Sequence, residues 1–303
     1  MERMTENVFK MYQQYPFPGD IEYKMLYSIP LLQFFIKAAP KGKRSFLDGI
    51  EIMEAGCGTG NTLIKMAQMF PTSTFTGADI TVNSLKIARE NARKKGLKNI
   101  SFVKKNILKL DIPKKFGVIF CIGVLHHLAD MKKGLENISG RLKDKAYLVL
   151  WLYGKYGRFR LNLNQKMLSI LFQNVSSLQD KVALTKTMLR KAEQRFMECH
   201  FNVPDSRIEN KWPESLDFLL NNDTWLVDQF LHCNEKTVSM NEILSLTKGM
   251  ELVHWAGVST DIGQYIKDDK IIKLYEGLPY KDKLLVLDYL LKPNYYLVIL
   301  KKG

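Results

Sequence analysis

The sequence predicts an α/β fold in which helices flank a mostly parallel sheet of about seven strands. From about residue 46, short apolar runs alternate with amphipathic stretches, a rhythm typical of βαβ units. A glycine-rich segment, EAGCGTG, follows the first apolar run, where a strand is expected to turn into a helix. The chain has 303 residues and is 46% hydrophobic, which is enough to bury a substantial core.

The predicted elements follow one another in regular order. Pro71 ends the first helix of this region, and Gly96 ends the next one in a left-handed conformation. A last helix is marked by the apolar stripe over residues 284–291. Strands are predicted over residues 49–54, 74–78, 100–104, 116–122, 146–153, 251–258 and 295–301, and helices over residues 83–95 and 132–142.

Changes of pattern divide the chain into four segments. Residues 1–45 form an N-terminal cap and residues 46–153 the core, while residues 154–245 are a mainly helical insertion or lid. Residues 246–303 then complete the sheet. Within the insertion, residues 161–197 have helical periodicity and no strand signal. In the N-terminal segment, Pro16 and Pro18 prevent a continuous helix.

The net charge of +14 favours anionic partners, nucleic acid among them. The lysines are nevertheless spread along the chain in short mixed clusters and do not form one basic arm. A solvated lysine surface is therefore favoured over a nucleic-acid interface, and both interpretations stay open.

The apolar run over residues 29–36 is too short to cross a bilayer, and the first residues carry charges of both signs. We therefore expect no membrane span and a cytoplasmic location. The four cysteines, Cys57, Cys121, Cys199 and Cys233, lie far apart, with no paired spacing typical of a zinc site or redox pair. We expect reduced thiols and no metal.

Gly56, Gly58 and Gly60 form the spacing G-x-G-x-G, in which the backbone can approach a ligand closely. A dinucleotide fingerprint needs its third glycine one position later, where this chain has Asn61. A pyrophosphate site is therefore disfavoured, and a different nucleoside cofactor is favoured over a turn without a ligand.

Two polar residues follow the next strands. Asp79 ends the second predicted strand, where its carboxylate can accept hydrogen bonds from both hydroxyls of a ribose. Its alternative role is that of a turn or N-cap residue. Asn106 follows the third strand and can present its amide to an adenine edge, or serve simply as a turn residue.

Four stretches in this order, EAGCGTGNT, GADITVNSLKIARENARKKGL, FVKKNILKL and FGVIFCIGVLHHLAD, resemble the motifs of class I, Rossmann-like S-adenosylmethionine (SAM) dependent methyltransferases. The resemblance covers about residues 50–153 and includes a GVLHHL segment after the fourth strand. It implies a sheet whose last strand is antiparallel. Two positions depart from the family pattern, since Gly117 and Asn106 stand where Asp is common.

The resemblance also implies roles for residues at the strand ends. Residues 121–125, beginning with Cys121, would close over the methionine portion of SAM. Asp79 would bind the ribose, with Ile80 beside it, and Asn106 and Ile107 would contact the adenine. The amino-acid portion would be held by Glu54, Gly56, Cys57, Gly58, Thr59 and Gly60.

His126 and His127 are the best candidates for a general base, because open α/β sheets bind ligands beyond the carboxyl ends of their strands. Imidazole also titrates near neutral pH. Adjacent histidines face different ways, so only one is expected to act, and His126 is the first choice. Packed histidines are the alternative. As metal ligands the pair is disfavoured, since no carboxylate or thiol accompanies it at zinc-site spacing.

Aromatic residues of the N-terminal segment form a second group of candidates. Tyr12, Tyr15 and Phe17 can cover the cofactor, with a tyrosyl hydroxyl reaching the substrate, or can serve as core anchors. His232 lies where relatives often build substrate pockets, although alone it is favoured as a structural residue.

The leading hypothesis is a SAM-dependent methyltransferase acting on a small molecule or a protein side chain and releasing S-adenosylhomocysteine. The segment CIGVLHHL lacks the Asn/Asp-Pro-Pro-aromatic sequence of many amino-directed nucleic-acid methyltransferases. An RNA or DNA methyltransferase is the alternative, favoured by the net charge and by the basic stretch over residues 181–195. A non-catalytic SAM-binding subunit is a third hypothesis, which the intact glycine loop disfavours.

Overall fold

The computed structural model describes residues 2–17, 28–192 and 216–303. The helices are α1 (Glu2–Gln14), α2 (Ser28–Lys37), α3 (Asn61–Met69), α4 (Val82–Lys94), α5 (Met131–Ser139), α6 (Phe159–Leu171), α7 (Leu178–Lys191), α8 (Leu216–Asn221), α9 (Asp223–Phe230), α10 (Met240–Leu246), α11 (Asp269–Glu276) and α12 (Tyr280–Leu291). The strands are β1 (Glu51–Ala55), β2 (Thr74–Asp79), β3 (Ile100–Lys104), β4 (Phe116–Ile122), β5 (Leu142–Tyr153), β6 (Met250–Trp255) and β7 (Tyr295–Lys302).

One sheet contains all seven strands, in the order β3-β2-β1-β4-β5-β7-β6. The first five strands pair in parallel, and β7 runs antiparallel to both of its neighbours, β5 and β6. The predicted fold, including the antiparallel last strand, is therefore confirmed. The carboxyl ends of β1, β2 and β4 meet at one edge of the sheet, where a ligand site is expected in this architecture.

Helices cover both faces of the sheet. On one face, α5, α10 and α12 pack against the strands through side chains such as Ile138, Ile243 and Leu287. On the other face, α2, α3 and α4 contribute Phe35, Leu63 and Leu85. These apolar residues recur at helical spacing, so the burial of one stripe per helix explains the layered arrangement.

A third apolar cluster joins the N-terminal helix to the insertion. Met11 of α1 packs with Leu161 of α6, Val182 of α7, Leu219 of α8 and Trp225 of α9. The helical pattern predicted for residues 161–197 corresponds to α6 and α7, as far as this stretch is described. The four-segment division drawn from the sequence stays a prediction, although α1 and the insertion helices share one apolar cluster.

The predicted end of the fifth helix and the predicted start of the fifth strand are wrong. The helix predicted over residues 132–142 ends at Ser139, because Gly140 caps it and the chain then enters the sheet. Strand β5 begins at Leu142, which pairs with Phe116, and an irregular register absorbs residues 143–146 before Tyr147 pairs with Val118. The charged sequence KDK in this irregular part hid the strand from an apolar-run criterion.

Some predictions fall partly outside the described residues. Pro18, Cys199, the end of the stretch 161–197 and the end of the basic stretch 181–195 lie there. Cys57, Cys121 and Cys233 are free thiols, and the first two are buried. Across the three described ranges, no helix has the length and apolar character needed to cross a membrane. The cytoplasmic location stays a prediction.

Gly154 offers a test of the packing at the end of β5. A Cβ added there would lie 2.0 Å from the carbonyl oxygen of Pro293, a backbone atom that cannot move aside cheaply. We expect Gly154→Ala to lower the free energy of unfolding by about 3 kcal/mol in urea denaturation. Gly277→Ala is the control, because its nearest neighbour would be 3.5 Å away, and it should change stability by less than about 0.5 kcal/mol. Equal stabilities of the two variants would contradict this packing.

Candidate functional site

The glycine loop forms a tight turn between β1 and α3. Gly56, Gly58 and Gly60 have φ angles of +78°, +50° and +78°, in the left-handed region that favours glycine. A Cβ at Gly58 would lie 2.5 Å from the carbonyl oxygen of Phe17, so the N-terminal segment passes directly over the turn. The predicted loop therefore has the geometry of a backbone cradle with a cover.

Asp79 connects the end of β2 to this turn. Its Oδ2 accepts a hydrogen bond from the Gly58 amide at 2.9 Å, and its Oδ1 accepts two from Thr81, from the amide and the hydroxyl, each at 2.8 Å. Asp79 is thus also a turn residue, as the alternative interpretation expected. A carboxylate has about four acceptor positions, which leaves capacity for a ligand hydroxyl.

Glu54, near the end of β1, places a second carboxyl group under the turn. The side chain is buried, and its Oε2 has no hydrogen-bond partner within the described part of the chain. Burial first, and then the nearby charge of Asp79, raise the pKa of Glu54 to about 8. A cation bound beside it would supply the missing partner and favour its ionised form.

The remaining residues assigned by resemblance lie around the same edge. Asn106 uses its Oδ1 to accept from the Leu108 amide at 2.9 Å, so it caps a short 3₁₀ turn. The expected adenine contact would therefore depend on the side-chain NH₂ group of Asn106. Ile107, Cys57, Thr59 and Cys121 are buried, and Ile80 is partly exposed. Their roles toward a cofactor stay predictions.

The N-terminal segment is held over the turn at several points. The side-chain amide of Asn83 donates to the carbonyl oxygen of Gln13 at 2.9 Å. The ring centroids of Phe17 and Trp225 lie 4.7 Å apart. Tyr15 packs against the cluster shared by α1 and the insertion helices. Burial, and then the nearby charge of Asp223, raise the pKa of Tyr15. Phe17 thus has the position of a cover, and Tyr15 that of an anchor.

The position of His126 opposes the role predicted for it. The ring is fully buried, and neither nitrogen has a hydrogen-bond partner among the described residues. It packs on Tyr153 at 4.3 Å between ring centroids. Burial, followed by the neighbouring His127, lowers its pKa well below the usual value, so proton uptake there is unfavourable.

Tyr12, Tyr153 and His232 meet instead at Asp228, a residue that the sequence did not single out. The Tyr12 hydroxyl donates to Asp228 Oδ1 at 3.1 Å and lies 3.2 Å from His232 Nε2. The Tyr153 hydroxyl donates to Asp228 Oδ2 at 3.2 Å. Burial and the charge of Glu235 raise the pKa of Asp228 to about 7. We call Tyr12, Tyr153, Asp228 and His232 the Asp228 cluster.

His127 lies against this cluster, and its ring also meets that of His126 edge to face, with 4.1 Å between centroids. Its ring stacks on His232 with 3.8 Å between centroids. Its Nδ1 donates to the carbonyl oxygen of Asn234 at 3.0 Å, since a carbonyl can only accept. Burial lowers the pKa of His127 to about 3. The ring is therefore neutral, with its lone pair on Nε2.

A buried ion pair supports the cluster from one side. Arg158 binds Glu235 through Nη2, which lies 3.1 Å from both carboxylate oxygens, and both side chains are at most 5% exposed. The guanidinium also lies over the ring of Tyr153, 3.4 Å from its centroid. Sequence reasoning missed this pair and Asp228, because their partners are distant in the chain and no local motif marks them.

Comparisons with known proteins concern the family and the fold of the chain. A family model described as a methyltransferase domain matches residues 47–198. An uncharacterised protein of Synechococcus sp. is 28% identical over 179 residues, covering 56% of this chain and 42% of its own length. A malonyl-[acyl-carrier protein] O-methyltransferase of Ilyobacter polytropus is 28% identical over 160 residues, covering 51% of this chain and 61% of its own length.

A solved structure has the same fold over almost the whole chain. PKMT2 from Rickettsia typhi, in complex with AdoHcy, is similar with a TM-score of 0.69 and 14% identity, over 95% of this chain and 55% of that one. This chain therefore spans less than two thirds of the length of these relatives.

The chain belongs to the methyltransferase domain family. Its fold and its family are those of the class I SAM-dependent methyltransferases, as the sequence motifs predicted.

Glu54 gives a test of the electrostatics at the turn. Its pKa is raised from 4.5 to about 8 in the folded chain, so the folded state binds this proton more tightly than the unfolded state does. The free energy of unfolding should therefore fall as pH rises from 4.5 to about 8, by at most about 1.4 kcal/mol per pH unit from this group. We expect Glu54→Gln to lose this part of the slope.

Glu51→Gln is the matched control for that measurement. Glu51 starts the same strand, is only partly buried, and has a pKa lowered by its hydrogen bond with Lys143, so its titration lies below the same window. Urea denaturation from pH 5 to 9 measures both slopes. Equal slopes for the parent and Glu54→Gln would contradict a buried, proton-binding Glu54.

Proposed function

We propose that this chain transfers a methyl group from SAM to a small molecule or a protein side chain. The observation that carries the proposal is the pair of carboxyl groups at the glycine turn, Glu54 beneath it and Asp79 beside it. Such a site repels a pyrophosphate and fits a nucleoside that carries an ammonium and a sulfonium. SAM is such a nucleoside, and it is the methyl donor of the family.

The residues present fit SAM portion by portion. The buried, unpartnered Oε2 of Glu54 is a ready acceptor for the ammonium of the methionine portion, as a buried carboxyl group needs a partner. Asp79 keeps acceptor capacity for ribose hydroxyls beside the Gly58 amide. We assign Asn106 and Ile107, which follow β3, to the adenine, and Cys121, near the end of β4, to the methionine portion.

When bound, SAM supplies an electrophilic methyl group on a positively charged sulfur. The chain has to position the acceptor in line with that methyl group and exclude water. Phe17, over Gly58, and the helices that pack with α1 are suited to cover the site. We assign this covering role to the N-terminal segment, and the GVLHHL segment lines the same edge after β4.

The direct test is radiolabelled methyl transfer from SAM into fractionated cell extract, with small metabolites, protein and nucleic acid separated. Label in the metabolite or protein fraction supports the proposal, and label confined to nucleic acid favours the alternative suggested by the net charge of +14. Binding of SAM without any label in any fraction favours a non-catalytic SAM-binding subunit. Asp79→Ala serves as the negative control.

Binding itself has a proton signature. At pH 7 the carboxyl group of Glu54, with its pKa raised to about 8, is mostly protonated, and pairing with the ammonium of SAM requires the ionised form. We expect SAM binding at pH 7 to release close to one proton, and clearly less at pH 9. Calorimetry in buffers of different ionisation enthalpy measures this number.

Two variants complete the binding experiment. Glu54→Gln should bind SAM with no proton release, and Asp79→Ala should weaken binding by about 10- to 100-fold through lost hydrogen bonds to a charged acceptor. Asp79→Ala binding SAM as tightly as the parent would show that the ribose assignment is wrong.

A further inference from the structure

The direction of the hydrogen bonds in the Asp228 cluster can be determined from His232. The Asn234 amide donates to His232 Nδ1 at 3.0 Å, so that nitrogen carries a lone pair and the neutral ring has its proton on Nε2. His232 Nε2 then donates to the Tyr12 oxygen, and Tyr12 donates to Asp228. The Tyr12 and Tyr153 hydroxyls therefore both donate to the Asp228 carboxylate, and His232 donates to Tyr12.

The hydrogen bond from the Asn234 amide to His232 Nδ1 also disfavours a metal site in the cluster. His127, Asp228 and His232 offer three ligand atoms within 4.8 Å of one another. A metal needs the lone pair of His232 Nε2, yet the proton is on that nitrogen, because Nδ1 accepts from the Asn234 amide. The cluster is therefore arranged to move a proton rather than to coordinate an ion.

The charge of the cluster indicates what it can take up. Arg158 and Glu235 offset each other in their bidentate pair, so an ionised Asp228 leaves one net negative charge in a buried, aromatic environment. Tyr12 and Tyr153 contact that charge through their hydroxyl groups, and His232 lies beside Tyr12. A buried carboxylate attracts a cation and disfavours an anionic acceptor.

The cluster also lies next to the glycine turn. Val124 fills the space beside Gly56, where an added Cβ would approach its side chain to 2.4 Å, and the His127 amide donates to the Val124 carbonyl at 2.9 Å. Tyr12 belongs to the same segment as Phe17, whose carbonyl covers Gly58. An acceptor at Tyr12 would thus sit at the edge of the site proposed for SAM.

We propose that the Asp228 cluster receives a methyl acceptor with an amino group, and that Asp228, acting through the Tyr12 hydroxyl, takes the proton this group must lose. This inference rests on the proposed methyltransferase function. The Tyr12 oxygen, which accepts from His232, has one lone pair left for the N–H of the acceptor. Asp228 is then a positioning and proton-accepting residue behind Tyr12.

In the proposed step, loss of a proton from the acceptor precedes methyl transfer. An incoming ammonium gives a proton to the Tyr12 oxygen while the Tyr12 hydroxyl proton passes to Asp228. The freed nitrogen lone pair forms the N–C bond as the S–CH₃ bond breaks, and that electron pair stays on sulfur. The products are a methylated ammonium, S-adenosylhomocysteine and a neutral Asp228.

The linkage of the transferred methyl group tests the acceptor class without knowledge of its identity. Labelled acceptors from the extract are treated with mild alkali and then separated by cation exchange. Label that survives and is retained as a cation supports an amino acceptor, in the metabolite fraction for a small amine or in the protein fraction for a side chain. Label released as methanol or recovered as a neutral ether overturns the inference and leaves the methyltransferase function intact.

Variants test the proton path with the same labelled fraction. Asp228→Asn should lower kcat by about 100-fold and bind SAM within twofold of the parent. The parent kcat should rise with pH through about 7, since Asp228 must be ionised, and this rise should disappear in the variant. Burial raises this pKa most and the charge of Glu235 raises it further, whereas the charge of Arg158 and the hydrogen bonds from the Tyr12 and Tyr153 hydroxyls lower it.

Two further measurements separate a proton path from a purely structural role. Tyr12→Phe keeps the ring and removes the relay, so it should lose activity by a similar factor without a change in Tm greater than a few degrees. The matched controls are Asp217→Asn in α8 and Tyr289→Phe in α12, at positions whose side chains are exposed, and both should retain the parent rate and pH profile. An Asp228→Asn variant with a kcat within threefold of the parent and the same pH profile would overturn the inference. Should Asp228→Asn fail to fold, Tyr12→Phe with parental kcat and pH profile would overturn it equally.

Discussion

The hydrogen bond from the Gly58 amide to Asp79 is the constraint around which the candidate site is arranged. It fixes the turn after β1 to the end of β2, and the left-handed glycines allow the backbone to accept that position. Glu54 then lies buried beneath the turn, with the charge of Asp79 close enough to raise its pKa. A backbone cradle with two carboxyl groups follows directly, and this polarity favours a cationic nucleoside over a dinucleotide.

The N-terminal segment links the two halves of the proposed site. At one end, the Phe17 carbonyl lies over Gly58, and at the other, the Tyr12 hydroxyl bonds to Asp228. Between them, the Gln13 carbonyl accepts from Asn83 at the start of α4. One short stretch of chain therefore contacts the donor side, the acceptor side and the core. Displacement of α1 would expose both sides together, so we infer that donor and acceptor binding are coupled through this segment.

The sequence allowed prediction of those features that are local in the chain. The glycine turn, Asp79 and the succession of strands along the chain follow from short motifs, because backbone geometry and hydrophobic periodicity act over a few residues. Asp228 was not predicted, since its partner Tyr12 lies 216 residues away and only the packing of α1 on α9 brings them together. His126 was preferred for its pKa as a free imidazole, whereas burial between Tyr153 and His127 decides its actual chemistry. The early start of β5 was hidden because its first residues are charged and irregularly paired.

The most direct test of the central claim is hydrogen–deuterium exchange with and without S-adenosylhomocysteine. We predict slower exchange in peptides from the glycine turn, residues 54–62, from the end of β2, residues 77–82, and from residues 10–17 of the cover. Peptides from α11 and α12, which contribute no residue to the proposed site, should be unchanged. Protection of residues 10–17 together with the turn would establish the shared site. Unchanged exchange at residues 54–62 at saturating ligand would contradict it.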